Sequence, residues 1–183
     1  FTDPPYAGKT LYLFEWLADE AARVLKPGGF LLCMHGGYRL NETMRYMDTR
    51  LNFHWKFEVF YSDFSGSVIW SRGVLGRSKP ILAYSKGESM PRRPNVLGAI
   101  YGGGNDKRYH AWGQEVASIR YYIEFFSDAG ETVLDPFVGG GSVPVACELV
   151  NRKWIASDID PVAIDTTRDR MNELSVRKQG SLF

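Results

Sequence analysis

An α/β fold built on a doubly wound sheet is the architecture this sequence predicts, and three observations predict it. Short apolar runs alternate with stretches of helical periodicity along most of the chain. Thr132-Val133-Leu134-Asp135 leads into a glycine-rich turn and a helix start, the strand–loop–helix unit of such sheets. The next apolar run begins at Lys153 and ends on Asp158, an acid placed where ligands of doubly wound sheets bind.

Composition narrows the class further. The chain of 183 residues suits one domain, with 44% hydrophobic and 23% charged residues. No apolar run approaches the roughly 20 residues that a membrane helix needs. It opens at Phe1 without a methionine and reads as an N-terminally truncated piece. Cys33 and Cys147 sit in apolar surroundings, so buried free thiols and a reducing, cytoplasmic setting are expected. With two cysteines and three histidines a structural zinc site is not expected. A net charge of +1 leaves nucleic acid open, because affinity for it needs a local basic surface. Arg72, Arg77, Lys79, Lys86, Arg92, Arg93, Lys107 and Arg108 are the candidates for one, or else scattered charge on a solvated loop.

In chain order, Asp3-Pro4-Pro5-Tyr6 is a rigid extended turn, because two successive prolines fit neither a central strand nor a helix interior. A helix is expected over Thr10–Lys26, with Leu13, Trp16, Leu17, Ala21, Val24 and Leu25 on one face. Lys26-Pro27-Gly28-Gly29 stops it. Phe30–Met34 reads as a buried strand of parallel type. Asn41–Leu51 reads as a helix capped by Asn41. Trp55–Tyr61 and Pro80–Ser85 are strands, with a loop carrying Trp70 and Arg72 between them. Lys86–Arg108 is a long exposed excursion. Glu115–Phe126 is helical. Val133 and Leu134 are expected to be covered on both faces, and a helix should follow over Ser142–Val150. Pro161 opens the last helix after Asp160 as its cap.

Two half-sites emerge from the residues. Gly139-Gly140-Gly141 permits positive φ and close approach of a ligand to bare backbone, with the following helix aiming its free N–H groups at the loop. Alone it could equally be an αβ turn without a ligand. Asp158 is placed to bond ribose hydroxyls, whereas Asp160 is the better helix cap. At the other end of the chain, Asp3 and the Pro4 carbonyl can accept hydrogen bonds from an exocyclic amine while Tyr6 stacks on its ring. Such an amine is a poor nucleophile until those bonds favour its pyramidal form and hold it in line with an electrophilic methyl. A merely strained turn is the plainer reading of the same residues.

Asp3-Pro4-Pro5-Tyr6 and Asp135-Pro136-Phe137-Val138-Gly139-Gly140-Gly141-Ser142 resemble the catalytic and cofactor motifs of the DNA amino-methyltransferases, in type and in order. That family methylates adenine N6 or cytosine N4 with S-adenosyl-L-methionine. The resemblance implies a Rossmann-like methyltransferase sheet in the circularly permuted beta-group order, with Trp55–Tyr61 and Pro80–Ser85 as its antiparallel edge pair. It makes Asp3, Pro4, Pro5 and Tyr6 catalytic. It assigns Asp135, Pro136, Phe137, Gly139, Gly141, Ser142 and Asp158 to the cofactor. His110-Ala111-Trp112-Gly113-Gln114-Glu115 resembles the family segment before the cofactor loop, which adds His110 and Gln114.

The same resemblance implies double-stranded DNA as partner, with the target base flipped out of the stack. Residues 87–109 would be a short target-recognition loop. Asp at the first motif position favours adenine over cytosine. A carbon-5 enzyme is disfavoured, since neither cysteine follows a proline in a turn. RNA amino-methyltransferases usually place the Pro-Pro-Tyr element after the cofactor loop. Outside catalysis, the alternatives are a NAD-type module or a non-catalytic nucleic-acid-binding relative. A bacterial or phage source, within restriction–modification or another methylation role, is expected. The tail Gln179-Gly180-Ser181-Leu182-Phe183 resembles the peptide that binds bacterial sliding clamps, although a frayed terminus is the simpler expectation.

Overall fold

The computed structural model describes residues 1–6, 8–61, 66–102 and 116–180. They form an α/β, Rossmann-like architecture that divides into two compact units, Asp3–Gly102 and Phe1–Thr2 with Gly103–Phe183.

In the first of these, α1 (Tyr12–Val24) follows a short 3-10 turn at Gly8–Thr10. Its buried residues are Phe14, Leu17, Ala18 and Ala21, while Trp16 and Val24 are each 44% exposed. The buried stripe is therefore rotated from the expected one, which shared only Leu17 and Ala21 with it. Apolar residues at this density fit a 3.6-residue period in two ways, and the core selects Phe14 over Trp16. Before Pro27, Leu25 has already left the helix for extended backbone. Gly28, at φ 75°, then turns the chain into β1 (Phe30–Met34).

β1 is buried as expected, but its partner β5 (Ser78–Ser85) runs antiparallel to it, from Phe30↔Ser85 to Met34↔Ile81. Continuous burial marks a strand covered on both faces and does not by itself fix direction. α2 spans Leu40–Met47 and is capped by Arg39, at φ 62°, rather than by Asn41. Leu40 packs on the core cluster, which draws the helix start ahead of Asn41, and Met47 is fully buried. β2 (Asn52–Phe60) pairs antiparallel with β5 through a register shift between Phe53 and Trp55.

The expected loop around Trp70 is a hairpin of β3 (Ser67–Ile69) and β4 (Val74–Gly76). The excursion after Lys86 contains β6 (Ala99–Tyr101), parallel to β2. Strand order is thus β1-β5-β2-β6, which makes β5 an inner strand rather than half of an edge pair. The core of this unit is α1 and α2 against Leu31, Cys33, Leu82 and Tyr84.

The other unit holds α3 (Val116–Phe126), β7 (Thr132–Asp135), α4 (Ser142–Leu149), β8 (Lys153–Ala156) and α5 (Pro161–Gly180). β7 and β8 pair in parallel, Thr132↔Lys153 to Asp135↔Ala156. Burial along β7 alternates: Val133 is buried and its neighbour Leu134 is 39% exposed, beside the 60% exposed Ile155. The expectation of cover on both faces fails at Leu134. α3 packs on α4, and the buried Arg152 donates to the Ser127 carbonyl at 2.5 Å just past the end of α3. A cation there complements the negative end of the helix dipole. Asp160 caps α5 as expected, its Oδ1 accepting the Val162 N–H at 2.9 Å. Cys33 and Cys147 are buried free thiols. Among the described residues no helix is long and apolar enough to cross a membrane.

Candidate functional site

In the Phe1–Thr2 and Gly103–Phe183 unit, β7 delivers Asp135 at its carboxyl end, 3% exposed. Its Oδ1 accepts the Thr2 hydroxyl at 2.7 Å and the Phe137 N–H at 3.1 Å. Asp135 therefore braces both the start of the glycine loop and the buried Thr2. Gly139 and Gly141 take φ 48° and 75°, the left-handed region that glycine enters at least cost. A Cβ on Gly139 would meet nothing within 4 Å, so the loop is open there. A Cβ on Gly141 would come within 3.0 Å of Thr167 Oγ1 on α5.

α5 holds the loop from behind. Thr167 Oγ1 donates to the Gly139 carbonyl at 3.0 Å, and the buried Arg170 donates to the Gly140 carbonyl at 2.7 Å and to Ser142 Oγ at 3.2 Å. Asp158 uses both of its oxygens: Oδ2 accepts Gly139 N–H at 2.9 Å and Oδ1 accepts Asp160 N–H at 3.0 Å. Its carboxylate is thus locked against the loop with lone pairs still to offer. Pro136 and Phe137 are half-buried beside it, and Ser142 is buried at the first position of α4.

In the Asp3–Gly102 unit, the Pro5 carbonyl accepts the Thr10 hydroxyl at 2.8 Å, which pins the prolyl turn. Lys79, on inner strand β5 and 5% exposed, reaches Asp3 Oδ2 at 2.5 Å. Asp3 Oδ1 is buried and has no hydrogen-bond partner among the described residues. The Lys79 Nζ also lies 5.5 Å from the centroid of the Tyr6 ring, within cation–π range. His35 follows β1 and sits 5.6 Å from Tyr6 and 5.2 Å from Phe14, centroid to centroid. Its Nδ1 accepts the Gly37 N–H at 3.2 Å, which leaves the proton on Nε2, 2.9 Å from Thr43 Oγ1.

Burial, and then the facing Lys79 charge, pushes His35 down to about 4, so the imidazole is neutral at neutral pH. Burial, and then Asp3, raises the Tyr6 hydroxyl above its ordinary value, so it stays un-ionised. Gly36 makes room for this ring, because a Cβ there would lie 2.2 Å from Tyr6 Cε2.

The expected site residues thus gather into two groups: Asp3, Pro4, Pro5 and Tyr6 in one unit, and Asp135 to Ser142 with Asp158 in the other. His110 and Gln114 lie outside the described residues, as do the end of the segment 87–109 and residues 181–183. Lys79 is a correction, since it is buried in an ion pair and not part of a basic surface. Lys86 is half-buried and donates to the Leu25 carbonyl at 2.8 Å. Sequence reasoning missed Thr2, His35, Lys79 and Arg170. A glycine pair directly after a buried strand was the available signal for the His35 loop.

The DNA methylase family model for N6/N4 methyltransferases matches residues 94–169. Among curated proteins the chain is 29% identical over 181 residues to the inferred methylase YubD of Escherichia coli (strain K12), covering 86% of this chain and 74% of YubD. It is 24% identical to the type II methyltransferase M.HpaI of Haemophilus parainfluenzae, covering 93% and 67%. These matches point to the DNA amino-methyltransferases, the family that the two motifs resemble. Its fold is that of the M1.HpyAVI–SAM complex, at TM-score 0.77 and 20% identity over 93% of this chain and 86% of that one. The cytosine-N4-specific PvuII methyltransferase gives TM-score 0.73 at 17% identity, over 92% and 77%. Within this family the prolyl turn and the glycine loop are the two expected half-sites.

Proposed function

We propose that this chain transfers a methyl group from S-adenosyl-L-methionine to the exocyclic N6 of adenine in double-stranded DNA, with the target base flipped out. The observation that carries this reading is the state of Asp3: one oxygen held by Lys79, the other buried and without a partner among the described residues, on a pinned prolyl turn beside a braced aromatic ring. Such an oxygen is an acceptor for an amine N–H. The Pro4 carbonyl is the second acceptor, and the Tyr6 ring offers a face for the base. Pro5 keeps the turn rigid. Together they favour the pyramidal amine and hold it in place.

The glycine loop fits the methyl donor. It is open at Gly139, its carbonyls are turned toward α5, and Asp158 stands fixed at its edge to take ribose hydroxyls. Asp135, Pro136, Phe137, Gly139, Gly141 and Ser142 would shape the methionine end, with His110 and Gln114 contributing from the preceding segment. S-adenosyl-L-methionine supplies a methyl group on a sulfonium, already activated for displacement. The amine lone pair forms the new N–C bond, the C–S pair leaves with sulfur, and the proton released by the amine passes to Asp3 or to water. Residues 87–109 would contribute to recognition of the DNA.

The test is transfer of labelled methyl to DNA and to RNA, followed by hydrolysis and chromatography of the modified nucleoside. N6-methyladenine in DNA is expected, and Asp3→Ala should abolish it. A label on RNA alone, or undiminished transfer by Asp3→Ala, would overturn the reading. N4-methylcytosine is the second outcome with support, since the fold is shared with a cytosine-N4-specific enzyme.

A further inference from the structure

Lys79 is costly where it stands. An ammonium that is 5% exposed on an inner strand has given up most of its hydration, and a buried charge persists only when paired. Val59 of β2 lies opposite it in register, and the next residue's carbonyl, Pro80 O, accepts the His35 N–H at 2.9 Å. Among the described residues, the titratable groups around the ammonium are Asp3 and Tyr6 of the N-terminal turn and His35 of the loop after β1. His35 is neutral and Tyr6 keeps its proton, so the Asp3 carboxylate is the anion that offsets Lys79.

That pairing is asymmetric. Lys79 engages Oδ2 and leaves Oδ1 buried with no partner among the described residues. An ammonium is a point donor and can hold one oxygen without covering the other. A guanidinium, with its planar fork, tends to take both.

We infer that Lys79 is a positioning residue for methyl transfer: it fixes the Asp3 carboxylate by one oxygen and leaves the other for the target amine. The inference rests on the reading of Asp3 as amine acceptor, and it adds the group that decides which oxygen accepts and in what orientation.

Three variants test it, assayed for steady-state methylation with kcat and KM separated, with S-adenosyl-L-methionine binding by calorimetry and folding by circular dichroism. Lys79→Met keeps the length and removes the charge. Its kcat should fall roughly 100-fold, the order that a displacement of about 1 Å costs, with KM for DNA little changed. Lys79→Arg keeps the charge and should still lose kcat, because its fork occupies both oxygens.

Asp3→Ala is run alongside. If it stays active, the acceptor reading itself fails. If it is inactive while folded Lys79→Met keeps the wild-type kcat, the role of Lys79 alone is overturned. Should Lys79→Met not fold, Lys79→Arg decides: a wild-type kcat there overturns the claim that an uncovered Oδ1 matters, and a reduced kcat with an unchanged KM for DNA supports it.

Discussion

Replacing Gly36 by alanine probes how tightly the Tyr6 ring is held. The added Cβ would lie 2.2 Å from Cε2, 2.5 Å from Cδ2 and 2.9 Å from Cζ of Tyr6. Ordinary contact begins at 3.4 Å, so ring and loop must part by about 1.2 Å. The ring has His35 at 5.6 Å and the Lys79 ammonium at 5.5 Å, so it cannot simply slide within its present bed. Overpacking of this kind costs roughly 1–3 kcal/mol, and a displacement near 1 Å at reacting groups costs about 100-fold in rate. Gly36→Ala should therefore lower kcat by roughly that factor and lower the melting temperature modestly. S-adenosyl-L-methionine affinity by calorimetry should stay as in wild type. Gly37→Ala is the control: its Cβ meets nothing within 4 Å, but its φ of 76° strains a side chain, so it should cost stability without moving the ring. A Gly36→Ala enzyme with wild-type kcat would refute the claim that the ring position matters.

Two further outcomes follow from the same geometry. Asp158→Ala removes the acceptor for both the Gly139 and Asp160 N–H groups, so calorimetry should show donor affinity falling by roughly tenfold or more; unchanged affinity would count against a ribose role. For pH, the folded-state value of His35 lies at about 4, below its ordinary 6.5, so the unfolded chain binds the proton first as pH falls. Its contribution is fully present above about pH 6.5 and is lost between there and pH 4, amounting to about 3 kcal/mol. Urea denaturation at pH 7 and pH 5 should show this loss in wild type and a reduced loss in His35→Gln. Equal pH dependence in the two would exclude His35 as its source.

What could be read from the sequence was local, and what could not was distant. The β7–loop–α4 unit and the Asp160 cap of α5 are short-range patterns, in which the residues that signal the structure also make it. Lys79 meets Asp3 across 76 positions, and Thr2 meets Asp135 across 133, so neither partner marks the other in the chain. Lys79 therefore read as one more cation in a basic stretch. The face of α1 failed for a different reason. Two overlapping apolar stripes satisfy one helical period, and only the shape of the core, which swallows Phe14 and leaves Trp16 outside, chooses between them. Leu134 failed because a strand's apolar composition does not say whether anything covers its second face.

The neutral His35 has a consequence for what the prolyl turn can admit. Its proton is committed to Thr43, Tyr6 keeps its own, and the charges of Asp3 and Lys79 cancel, so the cluster carries no net charge at neutral pH. A phosphate arriving there would find Lys79, the cation of this cluster among the described residues, already spent on a carboxylate. A neutral heteroaromatic ring meets no such penalty and brings N–H donors that the anionic oxygen can use. On the reading proposed above, the turn would take a base in preference to a backbone phosphate, because the described cluster has no surplus positive charge to offer.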